Sequence, residues 1–158
     1  MTHLLAAAVL AALILAAPVD SQPGRHLAVI VNRSNPAENL SVAELRNILL
    51  GRRTRWPDGR RITVVMRDPG HAERQALLKT VCGMTDSEFE EHLARALYTG
   101  EVGAAPKRLA TEDGVRKFVF NVPGAIGYLR AGEMDKSVKA LRIDGQAPGE
   151  NGYRIAIP

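Results

Sequence analysis

The sequence predicts an α/β domain built on a mixed, largely parallel sheet flanked by helices. Three observations predict it. Two apolar runs rich in β-branched residues, 26–32 and 62–66, have the length and composition of buried strands. Two capping boxes, Ser41-x-x-Glu44 and Thr85-x-x-Glu88, open helices. Strands and helices then alternate along most of the chain, which is the order that parallel pairs require.

The elements follow in turn. His26-Leu27-Ala28-Val29-Ile30-Val31-Asn32 reads as a strand closed by the turn Arg33-Ser34-Asn35-Pro36. Ser41 caps a helix whose inner stripe is Val42, Leu45, Ile48 and Leu49, and Gly51 stops it. Residues 52–61 form a loop around Trp56-Pro57-Asp58-Gly59, where Pro pre-sets one angle and Gly accepts a positive φ. After the second strand, Arg67-Asp68-Pro69-Gly70 leads into a helix reaching about Cys82. A third helix from Thr85 carries Phe89, Leu93, Ala96 and Leu97 inward, and residues 98–107 are a connector. Thr111 opens a shorter helix. Pro123-Gly124 turns the chain into a strand at 125–129, another strand is expected at 138–143, and 153–157 are expected to add a last one.

At 158 residues the chain has the length of one domain. Residues 4–17 are apolar and uncharged, shorter than the roughly 20 residues of a membrane span, and fit the core of a secretory signal. Cleavage after Ser21 is expected, leaving 22–158 as a single exported domain, periplasmic or secreted. The alternative is an anchor that is never removed, which also places the domain outside the cytoplasm. Cys82 is alone, so no internal disulfide forms; it reads as a small buried hydrophobe, with a reactive thiol or an intermolecular bridge as the alternative. The formal charge is +4, with Arg46, Arg52, Arg53, Arg55, Arg60 and Arg61 crowded into one stretch. Outside the cytoplasm this excludes nucleic acid as the expected partner. It points either to anionic counterparts or to a solvated basic face.

Three segments carry a family resemblance. Leu40-Ser41-x-x-Glu44-Leu45-x-x-Ile48-x-x-Gly51 is followed by Trp56-x-Asp58-Gly59 and by a strand ending in Arg67. This order resembles the second lobe of the phosphate-binding proteins of ABC importers. Val29-Ile30-Val31-Asn32 is similar to the crossover strand before that lobe, and Pro123-Gly124-Ala125-Ile126-Gly127-Tyr128 to the family's return segment. The resemblance covers roughly residues 26–130 and implies one lobe of a type II periplasmic binding protein, in a short single-lobe form. Members of that family carry Arg, an acidic residue and Gly-Ser-Gly-Thr after the second strand. Here Arg67 matches, Asp68 and Gly70 fit, His71 and Ala72 stand in place of hydroxyl residues, and Glu73 adds a negative charge.

The residues themselves also suit an anion at 67–72. A helix start offers unpaired N–H groups, Arg67 offers a bidentate fork, and a protonated His71 can donate another bond. In the opposing reading Arg67 pairs with Asp68 or Glu73 and nothing binds. The candidate ligand residues are therefore Arg67, Asp68, Gly70, His71 and Ala72. Ser34 and Thr111 are added as hydroxyl donors whose alternative role is capping. Trp56 is expected to pin its own turn rather than stack a ligand. The chain has no Gly-x-Ser-x-Gly, HExxH or P-loop, and its four His lack ligand spacing, so no enzyme activity, metal or cofactor is expected. The expected function is an exported solute-binding domain for phosphate or another small oxyanion, working with a membrane transporter or a sensor protein. The alternative is an interaction module that keeps the fold, has lost the ligand, and docks a membrane or signalling partner.

Overall fold

The computed structural model describes residues 24–158. The signal segment expected at 1–21 lies outside the described residues. The first strand, β1 (Leu27–Asn32), is buried at every position. Its side chains alternate between two apolar layers: Leu27, Val29 and Val31 enter one, Ala28 and Ile30 the other. A strand apolar on both faces requires helices on both faces. Those helices are α1 (Val42–Leu49), α2 (Ala72–Leu77) and α3 (Asp86–Tyr98) on one side, and α4 (Glu112–Asn121) on the other.

The sheet also contains β3 (Thr63–Arg67), β4 (Lys107–Leu109), β5 (Ala125–Arg130) and β6 (Val138–Ala140), in the order β4-β3-β5-β1-β6. β3 runs parallel to β4 and β5, while β1 is antiparallel to both of its neighbours, β5 and β6. Four strands therefore share one direction and β1 opposes them, which is the mixed, largely parallel sheet that the sequence predicts. A minor pair, β2 (Asn39–Leu40) with β7 (Arg142–Ile143), lies apart from it.

Both capping boxes form. Ser41 and Thr85 accept from the amides of Glu44 and Glu88, and each carboxylate accepts in turn from the cap amide. Those cap amides hold both carboxyls below the usual glutamate range. The helix after β3 reaches Cys82 as expected, but its second half, Leu78–Cys82, widens into a π-helical turn ended by Gly83 at φ +67°.

Three expectations need correction. The connector 98–107 ends in strand β4, a short polar run without strand composition that pairing with Val65–Arg67 recruits. The strand expected at 138–143 is broken at Leu141, whose amide bonds the Val29 carbonyl while its neighbours pair on different sheets. The last strand expected at 153–157 is a single bridge, His26 to Ala156; Tyr153 instead turns its hydroxyl onto the Leu27 carbonyl.

Trp56 pins its turn, and the partner it finds is informative. Its indole Nε1 donates to the Gly124 carbonyl at 3.0 Å, buried beneath the sheet end. The Trp-x-Asp-Gly and Pro-Gly-Ala-Ile-Gly-Tyr segments are thus two halves of one contact. The approach also admits no side chain at Gly124, because a Cβ there would lie 2.1 Å from the Arg61 carbonyl oxygen. Gly124→Ala is expected to destabilise the fold by about 1–3 kcal/mol or more in chemical denaturation, the usual cost of overpacking. An unchanged midpoint would mean that this junction yields freely.

Candidate functional site

The parallel strands β3, β4 and β5 end at the same edge of the sheet, the edge at which open α/β sheets commonly bind ligands. Arg67 ends β3 and is 7% exposed. Its amide donates to the Tyr128 hydroxyl at 3.0 Å, and its Nη2 donates to the Ala110 carbonyl at 3.0 Å, just beyond β4. Burial pushes the Tyr128 phenol well above its ordinary pKa, so it stays neutral. Nη2 also lies 3.1 Å from His71 Nδ1. A guanidinium only donates, so His71 accepts from Arg67; it does not offer the donor bond that the sequence suggested. Arg67 Nε is buried with no hydrogen-bond partner among the described residues.

Two further groups complete the cluster. Glu73, in the first turn of α2, is 4% exposed. Its Oε1 lies 2.6 Å from Arg130 Nη2 and 4.0 Å from Arg67 Nη1. Arg130 ends β5, with its amide bonded to Glu112 at the start of α4. Two guanidinium groups from adjacent strand ends therefore converge on one carboxylate oxygen. Of the two pairings expected for a ligand-free Arg67, the Glu73 approach occurs, at the outer limit of an ion pair. Asp68 forms no ion pair among the described residues.

The loop between Arg67 and α2 is held from below by Arg74, which is 1% exposed. Its three nitrogens reach three partners: the Arg67 carbonyl at 3.0 Å, Asp86 at 2.6 Å and Glu90 at 2.5 Å. Its guanidinium also stacks 5.5 Å from the centre of the Phe89 ring. Asp86 uses its other oxygen to accept from the Gly70 amide at 2.9 Å. Gly70 is therefore spent on an internal carboxylate and is not free for a ligand. The amides of Ala72, Glu73 and Arg74 lack intrahelical acceptors by geometry, and the His71 side chain does not cap them.

The two hydroxyl candidates part company. Thr111 lies at the same edge, beside Ala110, with its Oγ1 accepting from the Gly114 amide as a cap. Ser34 follows β1, which runs against β3, so it sits at the opposite end of the sheet. Its hydroxyl donates to Asn32 and accepts from Arg60. The pairing of Arg60 with Asp58, of Arg53 with Glu44 and of Arg46 with the Val81 carbonyl shows that much of the arginine-rich stretch is spent locally. Burial raises the Cys82 thiol to about 11, which fits a packed residue rather than a nucleophile. No group of three or more His, Cys, Asp or Glu capable of holding a metal occurs among the described residues. A mostly apolar groove of about 250 Å³ lies elsewhere, between α1 and the start of β3, lined by Ile48, Leu49, Thr63, Val64, Leu93 and Val102.

Arg130 and Arg74 were missed in the sequence. The signal for Arg130 is a charge closing a buried strand, Ala125-Ile126-Gly127-Tyr128-Leu129, at the same edge as Arg67. Arg74 gave no signal beyond an arginine on a helix, because its partners are 12 and 16 residues away.

A family model for the PBP superfamily domain matches residues 25–151. The chain belongs to this family. It is 29% identical over 130 residues to the phosphate-binding protein PstS of Bacillus subtilis, an alignment covering 77% of this chain and 37% of that protein. The fold is that of solved phosphate receptors. An ABC-type phosphate transport receptor from Vibrio cholerae superposes with a TM-score of 0.69 at 24% identity, over 85% of this chain and 54% of the receptor. A protein from Clostridium perfringens, described as a phosphate ABC transporter substrate-binding protein and solved with bound phosphate, gives 0.70 at 23% identity, over 85% and 53%. This PBP-like domain thus spans little more than a third of the curated relative and about half of each receptor.

Arg74→Met is expected to destabilise the domain by about 1–3 kcal/mol, since it removes the donors to the Arg67 carbonyl and to the partly exposed Asp86 and Glu90, of which Glu90 keeps Arg108. Urea denaturation checks this, and a loss under about 1 kcal/mol would remove Arg74 as the anchor of the loop.

Proposed function

We propose that this PBP-like domain is an exported solute-binding domain of an ABC-type phosphate transport system, holding phosphate or a similar oxyanion reversibly and without covalent chemistry. The observation that carries the reading is Arg67. It is a buried guanidinium with an unpartnered Nε, at the strand-end edge, beside a second arginine and the open amides of a helix start. Arg67 and Arg130 supply charge and forked donors, and the amides of Ala72 and Glu73 supply further donors where an oxyanion is favoured. The names of the curated relative and of the solved receptors support phosphate as the ligand class and a membrane importer as the partner. Residues 1–21 act as the export signal in this reading, and 22–158 as the working domain. The relatives are binding proteins of transport systems, which supports a role without catalysis.

One observation favours the second reading, an interaction module that docks a membrane partner without a ligand. The Glu73 carboxylate already faces both arginines and offsets one of their two positive charges.

Calorimetric titration with phosphate, sulfate and organic anions tests the choice. Phosphate binding that weakens about tenfold to a hundredfold in Arg67→Ala is expected, the loss of one or two charge-assisted bonds. Silence across the whole panel would sink the oxyanion reading and leave the docking module.

A further inference from the structure

We infer that Glu73 is a resident counter-anion that occupies the arginine pair in the ligand's absence and sets how tightly an oxyanion binds there; this rests on the oxyanion reading of the same site. Three facts lead to it. The Glu73 carboxylate is more deeply buried than the Arg67 guanidinium it approaches, and a buried carboxylate persists only with cationic partners. A single oxygen, Oε1, faces both Arg130 and Arg67, the position that an oxygen of a bound oxyanion would take. The pairing with Arg67 is loose, at 4.0 Å, and Arg67 Nε is left without a partner, so the carboxylate satisfies the pair incompletely.

A carboxylate tethered to the first turn of α2 competes with free anions as an intramolecular ligand. For short tethers such a group acts at an effective concentration of about millimolar, so a free anion of equal intrinsic affinity must exceed that to displace it. The surrounding groups do not relieve this competition. Glu112 adds negative charge where it binds the Arg130 amide, and His71 accepts from Arg67 rather than donating. Displacement needs only side-chain rotation, since the Glu73 main chain lies in the helix and stays in place.

Glu73→Gln keeps the shape and removes the charge, and Glu73→Ser also clears the space. Each is titrated with inorganic phosphate beside the wild type and beside the Glu73→Gln/Arg67→Ala double variant. The expected result is at least about tenfold tighter phosphate binding in both single variants, with the gain abolished in the double variant. If a single variant is unfolded alone, millimolar phosphate must restore its fold, because the ligand then supplies the missing anion. Wild-type binding with no gain in either variant overturns this inference and leaves the oxyanion reading standing, as does a variant that stays unfolded in phosphate. Absence of binding in the wild type and in every folded variant overturns both.

Discussion

Arg74 is the constraint on which the rest of the site depends. A guanidinium only 1% exposed must have its donors answered, and here the answers come from three places at once: the end of β3, the start of α3 and the middle of α3. Because one of them is the Arg67 carbonyl, the direction in which Arg67 leaves the sheet is fixed by a residue seven positions away. Because another is Asp86, whose second oxygen holds the Gly70 amide, the whole β3–α2 loop is clamped between two helices. Glu90 extends the network outward to Arg108 at the edge strand β4. The loop's shape therefore rests on a buried ion cluster as well as on its own Pro69-Gly70 turn, where Gly70 takes φ +92°.

The layers around that cluster follow from strand composition. β1, β3 and β5 are apolar on both faces, so helices must cover both, and the smallest strand residues face α4. A Cβ on Gly127 would lie 2.8 Å from Val115, so the helix sits directly on the strand there. Such close packing places Thr111, Glu112 and the Ala110 carbonyl beside the ends of β3 and β5. Tyr128 reaches across from β5 to hold the Arg67 amide. The site thus inherits its geometry from the sheet, while its charges are contributed by strand ends and a helix start.

Much of this was legible in the sequence. The buried strands, both capping boxes and the Trp56 turn are local signals, and local physics carried them through. Short polar β4 was not legible, because its strand state comes from its neighbour and not from its residues. Ser34 was misplaced for a topological reason: β1 opposes β3, and nothing local announces that reversal. Arg67 and the helix start were readable as a candidate anion site. What the sequence left open was whether Glu73 would turn toward it, and the long-range pairing with Arg130 decides that. The candidate site consequently carries a carboxylate of its own beside its two arginines.

Nitrogen-15 NMR of the wild-type domain during a phosphate titration tests the site most directly. Shifts concentrated in the amides of Arg67, His71–Arg74, Ala110–Glu112 and Arg130 are the expected result. Shifts centred instead on the groove lined by Leu49, Val64 and Val102, or no shifts at any phosphate concentration, would contradict it.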